Sequence, residues 1–277
     1  MDNRPIGFFD SGLGGLTCIP YLLKALPYER IVYFGDTART PYGSKAPSTI
    51  CKFASEITDF LIDTQNVKMV AIACNTVSAV SLEDLRRRNP EIPILGIIAP
   101  ASHQIAKTCV PENNIGVIGT KATIASGVYP DKILNLNPDL SIYQQACPAL
   151  VPLIEEGIAD NKIMDLTIRH YMDSFIADND IDILVLGCTH YPLIRENITR
   201  LYPDLRIVDP SEEMLQSIND TLENRDIASD RSEPDHVFYA SDLSENFINM
   251  IDIIFSGTGY PVSFKTFDLE TYIERKV

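Results

Sequence analysis

The sequence predicts an α/β protein of two pseudo-symmetric, doubly wound lobes with mostly parallel sheets and an active site in the cleft between them. Three observations carry this reading. Short apolar runs rich in branched residues alternate with stretches of helical periodicity. Several runs end in small, hydroxylated or thiol-bearing clusters just ahead of a helix, which is where open α/β sheets bind ligands. The order of these features then recurs about 110 residues further on.

The first strand spans Arg4 to Asp10 and runs into Ser11-Gly12-Leu13-Gly14-Gly15. A helix is expected from about Leu16 to Leu26, ended by Pro27. A strand at Ile31–Phe34 leads to a loop containing Pro41-Tyr42-Gly43. From Ser48, Ile50, Phe53, Ala54, Ile57, Phe60 and Leu61 recur at three- and four-residue spacing, the mark of a helix with one buried face. The strand Met69–Ala73 ends at Cys74-Asn75-Thr76, and a single helix is expected from Thr76 to Arg88, its closing arginines suited to a helix carboxyl end. A strand at Pro93–Ile97 and a helix from Pro100 to Thr108 complete the unit.

The second half follows the same plan. Ile6-Gly7-Phe8-Phe9-Asp10-Ser11 resembles Ile115-Gly116-Val117-Ile118-Gly119-Thr120 at a separation of 109, and Val32-Tyr33 resembles Ile142-Tyr143 at 110. Cys74 matches Cys188 at 114, and Pro100 matches Pro210 at 110. The run Ile183-Leu184-Val185-Leu186-Gly187 reads as a buried strand, with Pro192 suited to the first turn of the next helix. These matches divide the chain into lobe 1 (1–97), lobe 2 (98–208) and a segment, 209–277, that returns to pack on lobe 1. That segment reads as a helix over Ser211–Leu222, a polar loop over Glu223–Asp235, a strand Val237–Ala240, a helix Ser244–Phe255 and a strand Val262–Phe267.

The net charge of −15 over 277 residues argues against nucleic acid and anionic membranes as partners. A small anionic substrate stays open, because a pocket of backbone N–H groups and hydroxyls acts locally. No apolar stretch reaches membrane-spanning length and Met1-Asp2-Asn3-Arg4-Pro5 carries no signal pattern, so the expectation is a cytoplasmic protein. The six cysteines form no Cys-x-x-Cys pair and four histidines leave little for a metal site, so no metal and no disulfide is expected. Cys18, Cys51 and Cys109 read as small buried hydrophobes.

Two lobes facing one another would bring Cys74 and Cys188 to a ligand from opposite sides. One thiolate removes a proton from a carbon and the other thiol returns one to the far face, which inverts the centre without a cofactor. The position of each thiol ahead of a helix is expected to lower its pKa toward working pH. Ser11, Asn75, Thr76, Thr120 and Thr189 are candidate donors for the developing negative charge. Asp10 and His190 are candidate proton relays. Taken singly these features have plainer readings: Gly12-Leu13-Gly14-Gly15 as a tight turn or half a dinucleotide loop, Pro41-Tyr42-Gly43 as a turn, His190 as a structural residue.

Together, Asp10-Ser11-Gly12-Leu13-Gly14-Gly15, Pro41-Tyr42-Gly43, Ala73-Cys74-Asn75-Thr76 and Gly187-Cys188-Thr189-His190-Tyr191-Pro192 resemble the cofactor-independent aspartate/glutamate racemases, and the glutamate racemases closely. The likeness extends through Val117-Ile118-Gly119-Thr120, Cys147-Pro148-Ala149-Leu150-Val151-Pro152 and Val237-Phe238-Tyr239-Ala240-Ser241-Asp242. It implies Cys74 and Cys188 as acid/base thiols assisted by Asp10 and His190, with Asp10, Ser11, Tyr42, Gly43, Asn75, Thr76, Thr120, Thr189 and His190 contacting glutamate, and Thr123 nearby. It implies a homodimer with no cofactor, supplying D-glutamate for peptidoglycan. Either Glu155 or Glu156 matches an acidic position that supports His190, and Lys121-Ala122-Thr123 departs from the commoner glycine-containing loop. The runner-up reading is an aspartate or related racemase. Behind it stand a cysteine-nucleophile hydrolase with His190 as base and a binding protein for an acidic metabolite.

Overall fold

The computed structural model describes residues 1–230, 232, 234–256, 258 and 262–274. Among the described residues, ten strands form two sheets. Strands β1 (Ile6–Asp10), β2 (Ile31–Gly35), β3 (Met69–Ile72) and β4 (Ile94–Gly96) belong to the first. Strands β5 (Asn114–Gly119), β6 (Ser141–Ala146), β7 (Ile183–Gly187) and β8 (Arg206–Val208) form the second. Strands β9 (Val237–Ala240) and β10 (Phe264–Thr266) rejoin the first sheet beside β2. The orders are β10-β9-β2-β1-β3-β4 and β6-β5-β7-β8, and every pairing is parallel.

The order β2-β1-β3-β4 thus recurs as β6-β5-β7-β8. The matched residues fall on equivalent strands: Ile6 opens the pairing of β1 with β2 and β3, and Ile115 pairs β5 with both β6 and β7. In each sheet the strand order reverses around the first strand, so the crevice at the carboxyl ends of β1 and β3, and of β5 and β7, is a topological switch point.

All-parallel sheets need cover on both faces, and the first shows it residue by residue. Phe8 and Tyr33 face one buried cluster while Phe9, Val32 and Phe34 face another, under the amphipathic helix Pro47–Asp59. A π-helical turn, Phe60–Thr64, closes that helix and puts Phe60 against Phe34 and Phe267. At the opposite end of the sheet, Lys68 is buried, paired with Glu29 at 2.6 Å, and donates to the carbonyls of Asp2 and Ile227. Buried charge is tolerable only when satisfied in this way. The cluster ties the returning chain to the first sheet, while the helix Pro210–Asn224 packs on the helices Ile98–Thr108 and Ile19–Ala25.

Three helices differ from expectation. The stretch expected as one helix from Thr76 to Arg88 is two, Asn75–Val80 and Leu82–Arg88. Ser81 between them is fully buried, leaves helical geometry at φ −118°, and donates from its hydroxyl to Cys51 Sγ at 3.4 Å. A buried hydroxyl committed to a sulfur of the helix Pro47–Asp59 marks the break in a helix that apolar spacing alone would continue. The first expected helix begins as a 3₁₀ turn, Gly14–Cys18, so that Pro20 falls early in the α-helix Ile19–Ala25, where it removes no needed donor. The chain from Tyr191 likewise forms a 3₁₀ turn to Ile194 before the helix Arg195–Leu201. Residues 231 and 233 of the expected polar loop lie outside the described residues.

Candidate active site

The carboxyl ends of both sheets open on one cavity of about 220 Å³. It is smaller than the ~300–1,000 Å³ of drug-sized sites and suits a small metabolite. Ser11 after β1, Cys74, Asn75 and Thr76 after β3, Thr120 after β5, and Cys188, Thr189 and His190 after β7 all line it. Tyr42 and Gly43 form part of its wall, with Thr40 and Lys121, which sequence did not single out as site residues. Among the described residues no group of three or more His, Cys, Asp and Glu is placed to hold a metal ion. No described helix is long and apolar enough to cross a membrane.

The two thiols have unequal surroundings. Cys74 Sγ donates to Ser11 Oγ at 3.3 Å. Burial pushes this thiol up to about 12, and the nearby Asp10 carboxylate pushes the same way, with Ser11 opposing. The expectation that helix position lowers it is corrected here: desolvation and a neighbouring anion outweigh the first turn of a six-residue helix. Cys188 Sγ faces His190 Nδ1 at 3.8 Å, and His190 Nε2 meets Glu155 Oε1 at 2.9 Å. Burial alone would lower His190, yet the hydrogen bonds to Cys188 and Glu155 dominate and raise it to about 10. An imidazolium therefore sits between a sulfur and a carboxylate. Glu155, rather than Glu156, makes this contact.

Asp10 is fully buried and is not on the cavity wall; it stands behind it. Its Oδ2 accepts from Gly12 N at 3.0 Å and its Oδ1 from Thr189 Oγ1 at 3.2 Å, a bond from one sheet to the other. Burial raises its pKa, partly offset by His190 and by these hydrogen bonds. The Gly12-Leu13-Gly14-Gly15 loop is shaped for the same junction. A Cβ on Gly14 would overlap Thr189 Oγ1 and His190 Nδ1, and one on Gly43 would overlap the Thr120 side chain. Both glycines are where the two halves touch.

Across the cleft Thr76 Oγ1 lies 3.0 Å from Thr120 Oγ1 and 3.3 Å from Thr123 Oγ1. Tyr42 turns its hydroxyl out of the cavity to donate to Asp36, which is buried and also accepts from Arg39 Nε at 2.8 Å and Ser241 Oγ at 2.9 Å. Asp36 follows β2 and escaped notice in the sequence because it bears on the site only through Tyr42. Two buried polar atoms on the wall, Asn75 Nδ2 and Thr40 Oγ1, have no hydrogen-bond partner. Such orphans are rare in folded proteins and mark where a polar ligand completes the network.

Comparison with known proteins adds to this geometry. A family described as Asp/Glu/Hydantoin racemase matches residues 19–218. A glutamate racemase of Geobacter metallireducens is 40% identical over 252 residues, 90% of this chain and 92% of its own. One from a Sulfurihydrogenibium species is 44% identical over 77% of this chain and 81% of its own. The crystal structure of a Francisella tularensis glutamate racemase in complex with D-glutamate superposes with a TM-score of 0.90 at 37% identity, covering 98% of this chain and all of that one.

Proposed function

The chain belongs to the Asp/Glu/Hydantoin racemase family, and from that premise we propose that it interconverts L- and D-glutamate by two-thiol proton transfer at Cα. The observation that carries the proposal is that Cys74 and Cys188, at equivalent positions of the two sheets, line one small cavity. With lobes 1–97 and 98–208 closing on the substrate, its Cα lies between the sulfurs. One sulfur, as thiolate, takes the Cα proton, and the electron pair left behind spreads into the α-carboxylate. The other, as thiol, gives its proton to the opposite face. The first sulfur ends protonated, the second ends charged, and the product is the mirror image; the chemistry asks for no cofactor.

Positioned proton transfer of this kind contributes about 10²–10⁴ in rate. The remainder must come from donors already aimed at the charge that develops on the carboxylate. Asn75 Nδ2 and the hydroxyls of Ser11, Thr76, Thr120 and Thr189 supply them. Asp10 holds Thr189 and the Gly12 amide in place, and the His190–Glu155 pair sets the charge beside Cys188. The likeness to the bacterial glutamate racemases further supports a cytoplasmic homodimer that supplies D-glutamate for peptidoglycan.

The test is to incubate each enantiomer in deuterated water with the purified chain. Deuterium is expected at Cα as optical activity decays. Cys74→Ser and Cys188→Ser should each lower racemisation by about 10³ or more. Normal racemisation by either variant sinks the two-thiol mechanism, and exchange with aspartate in preference to glutamate sinks the substrate assignment.

A further inference from the structure

Asn75 is held from the far side of the cleft by a residue that no motif singles out. It opens the helix Asn75–Val80 after β3, lines the cavity and is 3% exposed. Tyr129 lies in the helix Val128–Leu136, which belongs with the second sheet, and is fully buried. Its hydroxyl donates to Asn75 Oδ1 at 2.7 Å. Gly127, at φ +68°, makes the left-handed turn that separates this helix from Lys121–Ala125 and lets Val128–Leu136 begin immediately afterwards.

The chemistry of the pair is directional. A side-chain amide presents an acceptor at one end and two donors at the other, whereas a phenol has a single proton to place. Burial pushes the Tyr129 phenol well above its ordinary range, so that proton stays on and needs an acceptor. Asn75 Oδ1 is the acceptor it has. The amide is thereby sorted, oxygen toward Tyr129, and the nitrogen is left buried without a partner. With the amide turned round, the phenol proton would lose its acceptor and an oxygen would take the place of the unpaired donor, repelling an anionic ligand.

We propose that Tyr129 is a positioning residue for the reaction: its hydroxyl, reaching across from the second sheet, fixes the Asn75 amide so that Nδ2 stays free as a donor to a substrate carboxylate. The proposal rests on the glutamate reading for the identity of that anion. Because the two residues belong to different sheets, the amide is sorted only where the halves of the molecule meet. The unpaired Nδ2 raises the free energy of the empty site, and a carboxylate that reaches it recovers that cost.

The test is a double-mutant cycle. Tyr129→Phe removes the hydroxyl and keeps the ring. It should lower kcat/KM about tenfold for both enantiomers, most of it through KM, because one buried hydrogen bond is lost. In an Asn75→Ala background the same change should cost less than about twofold, since no amide remains to be sorted. Equal losses in the two backgrounds, or no loss with Asn75 in place, overturn the proposal and leave Tyr129 a packing residue. Should Tyr129→Phe fold poorly, Tyr129→Met in the same cycle gives the same reading. Glutamate binding measured by calorimetry across the cycle separates the two ideas. Coupled binding losses without turnover in the unmodified chain sink the racemase reading alone, and turnover without coupling sinks the Tyr129 assignment alone.

Discussion

Cys74 follows β3, donates a hydrogen bond to Ser11, and feels the Asp10 carboxylate more than any other charge. Cys188 follows β7, two residues from an imidazolium that Glu155 anchors. The backbone repeats and the electrostatics do not. Burial, helped by an anion, raises the Cys74 thiol to about 12, whereas the other sulfur faces an imidazole that Glu155 anchors, so the two thiols stand in opposite fields. Enantiomers have equal free energy, so kcat/KM must be the same in both directions whatever the resting protonation state. The polarity can therefore appear only in kcat and KM taken separately, and in which enantiomer meets the prepared base first.

The comparison can be broken most severely at Glu155. Glu155→Gln should lower racemisation about 100-fold by withdrawing the charge that keeps His190 protonated, while Glu156→Gln stays near the unmodified rate; steady-state kinetics on both variants decide it. Sulfur reactivity sharpens the contrast next. In the ligand-free enzyme near pH 7, iodoacetamide should label Cys188 about tenfold faster than Cys74, read by peptide mass, because thiolate is the reacting species and Cys74 is held as thiol. Equal labelling would remove the polarity.

A smaller effect is expected at Ser11. Its hydroxyl accepts from the Cys74 thiol and turns to donate once that sulfur is charged, which favours the thiolate, so Ser11→Ala should lower kcat/KM about threefold, equally in the two directions. The smallest signal is in stability. His190 titrates near 6.5 when unfolded and at about 10 when folded, so its stabilising contribution is complete below about pH 6.5 and is lost as pH rises through about 10. Melting temperatures of the unmodified chain and of His190→Gln should accordingly converge between those values; a constant gap would contradict the assignment.

Much of the architecture was legible because buried parallel strands must be apolar throughout, and runs such as Ile183–Leu186 have few other uses. Both thiols, Asn75, Thr76, Thr120 and Thr189 were legible because the ends of such strands are where loops carry chemistry. Ser81 was not, since its break of a periodic helix depends on Cys51, thirty residues away. The choice between Glu155 and Glu156 turns on which face of a helix meets His190, which adjacency in the chain leaves open. The high pKa of Cys74 was misjudged because a motif shows neighbours in sequence, and desolvation is set by neighbours in space. Tyr129 had no signature at all, for its hydroxyl bonds to a residue of the other half.

Ser241, just past the end of β9, donates to the carboxylate of Asp36 that also receives the Tyr42 hydroxyl, and its own N–H binds Gly35 at the end of β2. Synthesis proceeds from the amino terminus, and early segments fold first. A growing chain therefore passes through a stage at which both sulfurs and His190 exist but Asp36 lacks its third donor and β2 its outer neighbour. The wall that carries Tyr42 and Gly43 is then unfinished. Order of manufacture, in this molecule, places completion of the reaction chamber after the reactive groups themselves.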